Sequence, residues 1–572
     1  MSIDISIVIS GQAGQGVQSI AFTLAKVFTR AGYFTFTYHD IMSRIRGGNN
    51  SAIIRIKESP IDSIKTDIDL LICLDKEAII KNTDKLKDTG ILIYDGDKIK
   101  LDEIKPNYFS IPLEKIALEI GKNKLMSNSV ATGSGLALMN WNLDGVIEII
   151  TQIFKHKGED IINANINSVK AGYDYVKKNF TGKCPCEIFP LTTVKKNRLL
   201  ISGSESIAIG AVASGLKFYS GYPMSPSTAI MEFLTAHSKE YNIVVEQAED
   251  EISAVNMIIG ASYAGVRVMT ATSGGGFCLM VEGLSLAGMV ETPIVIVIGQ
   301  RPGPATGFPT RTEQGELKFV LNAGHGEFPR IIFAPRTAKE SIYLMTKAFN
   351  LAEKYQIPAI ILVDQYFNDS YWTVDSSDIN KEEINREGFL KETNLENYKY
   401  KRYSFAENGV SPRIIPGTQN QVSYADSDEH TEEGHITENA EVRVKMVEKR
   451  LDKLKDIINH INQPLYIGNN LPEIVLIGWG STFGAMKEAL DLLNEKGVPT
   501  GLLHFSEVYP LPELKLDFDV KTVKKIYCVE NNATGQFADL FELHTGIKIK
   551  NRILKYDGRP FTAKYIIDKV GL

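Results

Sequence analysis

The sequence predicts a multi-domain α/β protein, and three observations predict it. Short apolar runs rich in β-branched residues alternate with helical patterns along most of the chain. Glycine-rich turns stand where such runs pass into helices, at 11–16, 273–276 and 478–480. The length of 572 residues, at about 150 residues per domain, makes three to four domains.

The elements follow in order. "ISIVIS" (5–10) reads as a buried strand, and "VQSIAFTLAKVFTRAG" as a helix ending at Gly32. Further strands are expected at 33–40, 51–57, 69–75 and 90–96, which makes residues 1–182 one α/β domain. "TGKCPCEIFPLTTVKKN" has two prolines and no period, so 183–197 reads as a linker. A second alternating run, with strands near 218–223, 243–247, 266–273, 293–299, 329–335 and 358–364, predicts a doubly wound domain over 198–380. Residues 381–465 are polar and acidic, which predicts an exposed or extended connection with a charged amphipathic helix near 443–461. A last strand–turn–helix–strand unit fills 466–572.

Composition narrows the function classes. The net charge of −6 argues against nucleic acid as the main partner. The N-terminus lacks the basic start and apolar core of a signal peptide, and the longest apolar runs fall far short of the ~20 residues a membrane helix needs. A cytoplasmic protein with no membrane partner is expected. Cys73, Cys184, Cys186, Cys278 and Cys528 are scattered, with no C-x-x-C, so no iron–sulfur cluster is expected in this chain. Cys184 and Cys186 read as two surface thiols in the linker.

The glycine turns are the first candidate sites. "GQAGQG", with Gly11, Gly14 and Gly16, lies between a strand and a helix, where backbone N–H groups attract phosphate. Its spacing is not G-x-G-x-x-G, so a tight turn without ligand fits equally. "SRIRGGNNS" adds Arg46, Gly47 and Gly48, which suit an anion or a solvated loop. "ATSGGGFCLMVEG" opens a helix with Gly274 and Gly275, while "IGWGSTFGA" reads as a structural turn.

Chemistry is expected to concentrate in the second domain. "SGYPMSPSTAI" (220–230) ends a strand with Tyr222, Pro223 and Ser225. "GQRPGPATGFPTRTEQGEL" (299–317) follows another strand and carries Arg301, Thr310 and Arg311. Ligands bind beyond the C-terminal ends of parallel strands. Arg301 there suits a carboxylate, or a surface ion pair. "EQAEDEISAVNMIIGAS" (246–262) packs Glu246, Glu249, Asp250 and Glu251 ahead of an apolar run. All four suit a helix start. A helix beginning near 250 puts Glu251 on one face with Val255, Ile258 and Ser262, whereas Glu249 sits at the helix entry.

These stretches together resemble one family. "YPMSPST", "AEDEISAVNMIIGASYAGVRVMTATSGGG" and "GPATGFPTRTEQGEL" are similar to α-subunit segments of the 2-oxoacid:ferredoxin oxidoreductases. "SPRIIPGTQNQVSYADSDEHTEEGHITENAEVR" resembles the branch handling 2-oxoglutarate and related acids, and "GQAGQGVQSIAFTLAKVF…RGGNNS" resembles the γ domain. The resemblance covers nearly the whole chain in the order γ then α.

It implies a γ domain, a thiamine diphosphate pyrimidine-binding domain and a transketolase C-terminal-like domain. It implies CoA-dependent oxidative decarboxylation of a 2-oxoacid, 2-oxoglutarate first, with ferredoxin as electron acceptor. Glu251, with Glu249 as the alternative, would hydrogen-bond the cofactor's aminopyrimidine. Ser225, where the family usually has threonine, would orient the 2-oxoacid, and Arg301 would hold its carboxylate with Thr310 assisting. Tyr222, Pro223, Gly274 and Gly275 would contact the cofactor, and Gly11–Gly16 with Arg46–Gly48 coenzyme A. No G-D-G motif is present. The diphosphate, Mg2+ and a [4Fe-4S] cluster are therefore expected in a β subunit, in an (αβ)2 assembly. The competing expectations are a nucleotide-binding scaffold and a thiamine enzyme that needs no ferredoxin.

Overall fold

The computed structural model describes all residues except 1–2, 44–47, 192–196, 380–382, 387, 391–398, 419–420, 517 and 572. The strands, in chain order, begin with β1 (Asp4–Gly11), β2 (Phe34–Asp40), β3 (Asn50–Lys57), β4 (Ile68–Cys73), β5 (Leu86–Tyr94) and β6 (Tyr108–Ser110). Next come β7 (Arg198–Ser202), β8 (Leu216–Gly221), β9 (Val244–Gln247), β10 (Arg267–Thr272), β11 (Ile294–Gln300), β12 (Ile331–Phe333), β13 (Pro358–Asp364) and β14 (Tyr371–Asp375). The last are β15 (Leu465–Gly468), β16 (Ile474–Trp479), β17 (Thr500–Phe505), β18 (Glu507–Tyr509), β19 (Lys525–Glu530) and β20 (Asn551–Leu554).

The chain forms two compact units. The first comprises residues 1–202 with 369–378 and 562–564. Its eight-stranded sheet runs β6-β5-β4-β1-β3-β2-β14-β7, mixed parallel and antiparallel. β1 and β4 are buried along almost their whole length, as continuous apolar runs covered on both faces should be. Helices Ser127–Leu138 and Glu159–Asn179 cross closely. A β-carbon on Gly133 would lie 2.0 Å from Val169 O, and one on Gly172 2.1 Å from Val130 O, so only glycine permits that approach.

This unit departs from the sequence expectation in two ways. β7 and β14, expected inside the second domain (198–380), pair with each other and extend the first sheet. Sequence patterning identifies a strand but not its sheet. Cys184 and Cys186 are not surface thiols: both are buried in the first unit's core, and they are joined by a disulfide. Ile188, fully buried beside them, tucks this segment against Met139 O through its backbone N–H at 2.9 Å.

The second unit comprises 203–368, 379–561 and 565–572. Its seven-stranded sheet runs β18-β12-β13-β11-β10-β8-β9, parallel except for β18. A five-stranded sheet, β15-β17-β16-β19-β20, carries one antiparallel edge strand. One apolar core, including Ile296, Phe277, Trp479 and Phe505, is shared by both sheets.

The polar connection is not a solvated tether. Arg402, Arg413, Tyr403 and His430 are all buried. Arg402 donates to Gln356 Oε1 (2.8 Å) and Glu291 O (2.6 Å). Arg413 donates to Ser262 O (2.9 Å), in the last turn of helix Glu251–Tyr263, where the helix dipole favours a cation. Helix Ala440–Ile457 buries two lysines as well as apolar groups: Lys449 and Lys453 meet Glu291 at 2.7 and 2.5 Å, all three sealed from solvent. Composition could not reveal this, because the partners of these groups are distant in sequence. Among the described residues no helix is long and apolar enough to cross a membrane.

Candidate active site

Parallel strands deliver their C-terminal ends to one edge of the seven-stranded sheet, and the loops leaving β8, β9, β10 and β11 carry the candidate residues. After β9, Asp250 caps helix Glu251–Tyr263 by accepting from Ser253 N at 2.8 Å. This cap makes Glu251 the first helical residue and turns it inward. It is 3% exposed, on one face with Val255, Ile258 and Ser262, all buried. Glu246, on β9, and Glu249 are exposed. Glu251 Oε1 is buried and has no hydrogen-bond partner.

The next strand supplies the floor. β10 ends at Thr272, and helix Gly274–Met289 begins at the triglycine. A β-carbon on Gly276 would lie 2.4 Å from Glu251 Oε1 and 2.1 Å from Thr272 Oγ1. One on Gly274 would lie 2.4 Å from Glu316 Oε1, whereas Gly275 faces open space. Two carboxyl groups thus flank one helix start, each against a glycine. Thr272 Oγ1 and Glu316 Oε2 are also buried without partners. Each such atom costs about 1–3 kcal/mol unless something pairs with it. All three atoms stand around the start of one helix.

Arg301 follows β11 directly and donates from Nη1 to Ser225 O at 2.7 Å. Burial draws its pKa down and Glu316 draws it back up. The structure thereby joins the loops after β8 and β11. Ser225 and Tyr222 are exposed and Pro223 and Thr310 partly so. Among the described residues the Ser225 and Thr310 hydroxyls have no hydrogen bond. Arg311 is buried, with its stem against Gly558.

Sequence reasoning passed over three residues here. Glu316 is half-buried as a residue, yet its Oε2 is shut off from solvent. Burial and neighbouring Glu313 push its pKa up to about 8, against Arg301 and the Gly315 N–H. Gln314 binds the Arg301 loop to the C-terminal module: Nε2 donates to Trp479 O (2.9 Å), and Oε1 accepts from Asn531 N (3.0 Å). Asp364, at the end of β13, accepts from Phe367 N (2.8 Å) and Ser481 Oγ, and burial raises its pKa to about 6. Glu316 and Gln314 sit in "TEQGEL", where the carboxylate next to a glycine was the available signal.

In the first unit, β1 ends at Gly11, and Gly14 (φ 88°) and Gly16 (φ 79°) lead into helix Val17–Arg30, which has no side-chain cap. Gly14 borders a groove of about 730 Å³ reaching Phe22, Asn128 and Lys157, and a smaller cavity with Lys98 and Lys124. Gly48 has φ 74°. Arg46 and Gly47 lie outside the described residues.

Residues 209–449 match the profile of the thiamine diphosphate-binding domain of pyruvate flavodoxin/ferredoxin oxidoreductases. Residues 6–175 match pyruvate ferredoxin/flavodoxin oxidoreductase, and 472–566 core domain II of pyruvate:ferredoxin oxidoreductase. The chain is 33% identical to a 2-oxoacid:ferredoxin oxidoreductase α subunit of Sulfolobus sp, over 97% of this chain and 95% of that one. It is 33% identical to the 2-oxoglutarate synthase subunit KorA of Methanocaldococcus jannaschii, over 55% and 83% of the two chains. A solved structure of 2-oxoglutarate:ferredoxin oxidoreductase from Magnetococcus marinus, with 2-oxoglutarate, coenzyme A and succinyl-CoA bound, superposes with a TM-score of 0.91 at 31% identity, covering 99% of each chain.

The fold and the family matches define an α/β oxidoreductase chain with a thiamine diphosphate-binding domain. The chain belongs to the 2-oxoacid:ferredoxin oxidoreductase family, in the form of its α subunits.

Proposed function

We propose that this chain is the γ-fused α subunit of an enzyme that oxidatively decarboxylates a 2-oxoacid, 2-oxoglutarate first, to an acyl-CoA, with ferredoxin reduced. The observation that carries the reading is Glu251: a buried carboxylate with an unpartnered oxygen, lodged where Gly276 leaves room.

The residues present fit thiamine diphosphate, since Glu251 Oε1 is buried without a partner and Gly275 beside it faces open space. Bound there, that cofactor supplies the electron sink for decarboxylation. Glu251 accepts a hydrogen bond at the aminopyrimidine edge and holds the proton balance there, strengthened by its low-dielectric surroundings. Tyr222, Pro223, Gly274 and Gly275 line the cofactor. Arg301 grips the substrate carboxylate, and Ser225 and Thr310 orient the 2-oxo group. Arg311 or the partner subunit meets the second carboxylate of 2-oxoglutarate. Gly11, Gly14, Gly16, Arg46, Gly47 and Gly48 contact coenzyme A. The chain carries no G-D-G and no clustered cysteines. A β subunit therefore supplies the diphosphate–Mg2+ site and a [4Fe-4S] cluster, in a cytoplasmic (αβ)2 assembly.

The test is co-expression with the β subunit and an assay of 2-oxoacid- and CoA-dependent reduction of ferredoxin or viologen. Activity that survives Glu251→Gln undiminished removes Glu251 from its role. Turnover without an acceptor points to a ferredoxin-independent thiamine enzyme instead.

A further inference from the structure

Glu316 has no part in the reaction as set out above, yet it stands in the same site. Its Oε1 packs on Gly274, at the opposite end of the triglycine from Glu251. Its backbone N–H donates to Gln300 Oε1 at 3.2 Å, and Gln300 immediately precedes Arg301. Its Oε2 is buried with no partner. Among the described residues Arg301 makes one hydrogen bond, to a backbone carbonyl, and no ion pair. An arginine beside a glutamate ordinarily closes on it. Here it does not, and its charge is left for something else.

We propose that Glu316 is a positioning residue of this site, controlling whether Arg301 is available to the carboxylate of a 2-oxoacid. The proposal rests on the function proposed above. As a neutral acid, Glu316 leaves the arginine uncompensated. As an anion, it sets a negative charge beside the group that must hold a carboxylate, which both weakens the arginine's pull and repels the ligand.

The neighbours decide which form prevails. Burial disfavours the anion, as does Glu313 on the same loop. Arg301, the Gly315 N–H and the start of helix Gly274–Met289 favour it. Gln300, from β11, is uncharged, and Glu251 stands beyond the triglycine. The balance leaves Glu316 titrating near pH 8, so the acid form dominates at neutral pH. Carboxylate binding at Arg301 then favours the neutral form further, so substrate uptake near pH 8 draws a proton from solvent.

The experiment is calorimetric titration of 2-oxoglutarate into the complex with its partner subunit, without coenzyme A, at pH 7, 8 and 9. For a group titrating near 8, affinity should fall roughly tenfold from pH 7 to pH 9. At pH 8, buffers of different ionisation enthalpy should show uptake of about half a proton per site. Glu316→Gln, which cannot ionise, should lose both the pH dependence and the proton uptake. The wild-type measurements need no variant, so a Glu316→Gln protein that fails to fold leaves the test intact. Affinity that is flat across this range, or pH dependence that persists in a folded Glu316→Gln complex, overturns the proposal. A complex that binds 2-oxoglutarate with this pH dependence but reduces no acceptor overturns the proposed function and not the role of Glu316. A complex that binds none at pH 7 overturns both.

Discussion

Glu251 Oε1 stands so close to Gly276 that a β-carbon there would come within 2.4 Å of it. The glycine and the glutamate lie on consecutive helices and fit only as a pair. Gly276→Ala must push the carboxylate aside, and a displacement of about 1 Å at such a site costs on the order of 100-fold in rate. Glu251→Gln keeps the shape and removes the carboxyl group, with an expected loss of about 10²–10⁴ in kcat. Steady-state kinetics with thermal melts check both. A Gly276→Ala enzyme with wild-type kcat would show that the carboxylate's position is unimportant.

Gln314 should matter although it touches no substrate. Gln314→Ala leaves Asn531 N without its partner, at about 1–3 kcal/mol, takes one hydrogen bond from Trp479 O, which keeps that of Thr482 Oγ1, and loosens the loop that carries Arg301. The expected signature is a KM for the 2-oxoacid raised about tenfold, with a lowered Tm. If only the Tm falls, the docking serves the fold alone.

Asp364 should make stability depend on pH in an unusual direction. Burial raises its pKa from 3.8 to about 6, so between those values the folded state holds a proton that the unfolded state has lost. Stability therefore falls as pH rises through this window. The penalty is absent below about pH 4 and complete above about pH 6, at about 3 kcal/mol in all. Urea unfolding of wild type and Asp364→Asn at pH 4.5 and 7 isolates it. About 1 kcal/mol of the penalty is already present at pH 4.5, so the wild type should lose about 2 kcal/mol to the variant on going to pH 7.

Glu291 holds two lysines. Burial pushes its pKa up, but Lys449, Lys453 and Arg402 together bring it well below the usual carboxylate range. Glu291→Gln strands two buried ammonium groups, and about 3–5 kcal/mol of stability should go with them. Lys453→Met leaves a one-to-one pair with Lys449 and should cost less. Equal losses in denaturant titrations would refute this ordering.

The inward face of Glu251 was legible because it is local. Helical spacing favoured Glu251 over Glu249, since the apolar positions 255 and 258 say which way the first turn faces. The place of Arg301 was legible because it directly follows a buried strand. Glu316 and Gln314 were not, because their significance comes from Gly274 and Asn531, partners on other elements. Cys184 and Cys186 were misread for the same kind of reason: a proline-rich polar stretch shows no period when its burial comes from a neighbouring helix end.

The sequence by itself determined the alternation of strands and helices, the glycine turns and the face on which Glu251 travels. These follow from steric and hydrophobic periodicities within one element. Only the tertiary structure decided that β7 and β14 join the first sheet, that the acidic connection is pinned by buried arginines, and that Glu316 meets Gly274 beside Arg301. Those outcomes depend on which charges and hydrogen-bonding groups are desolvated together, and residues distant in the chain settle that only once the packing brings them into contact.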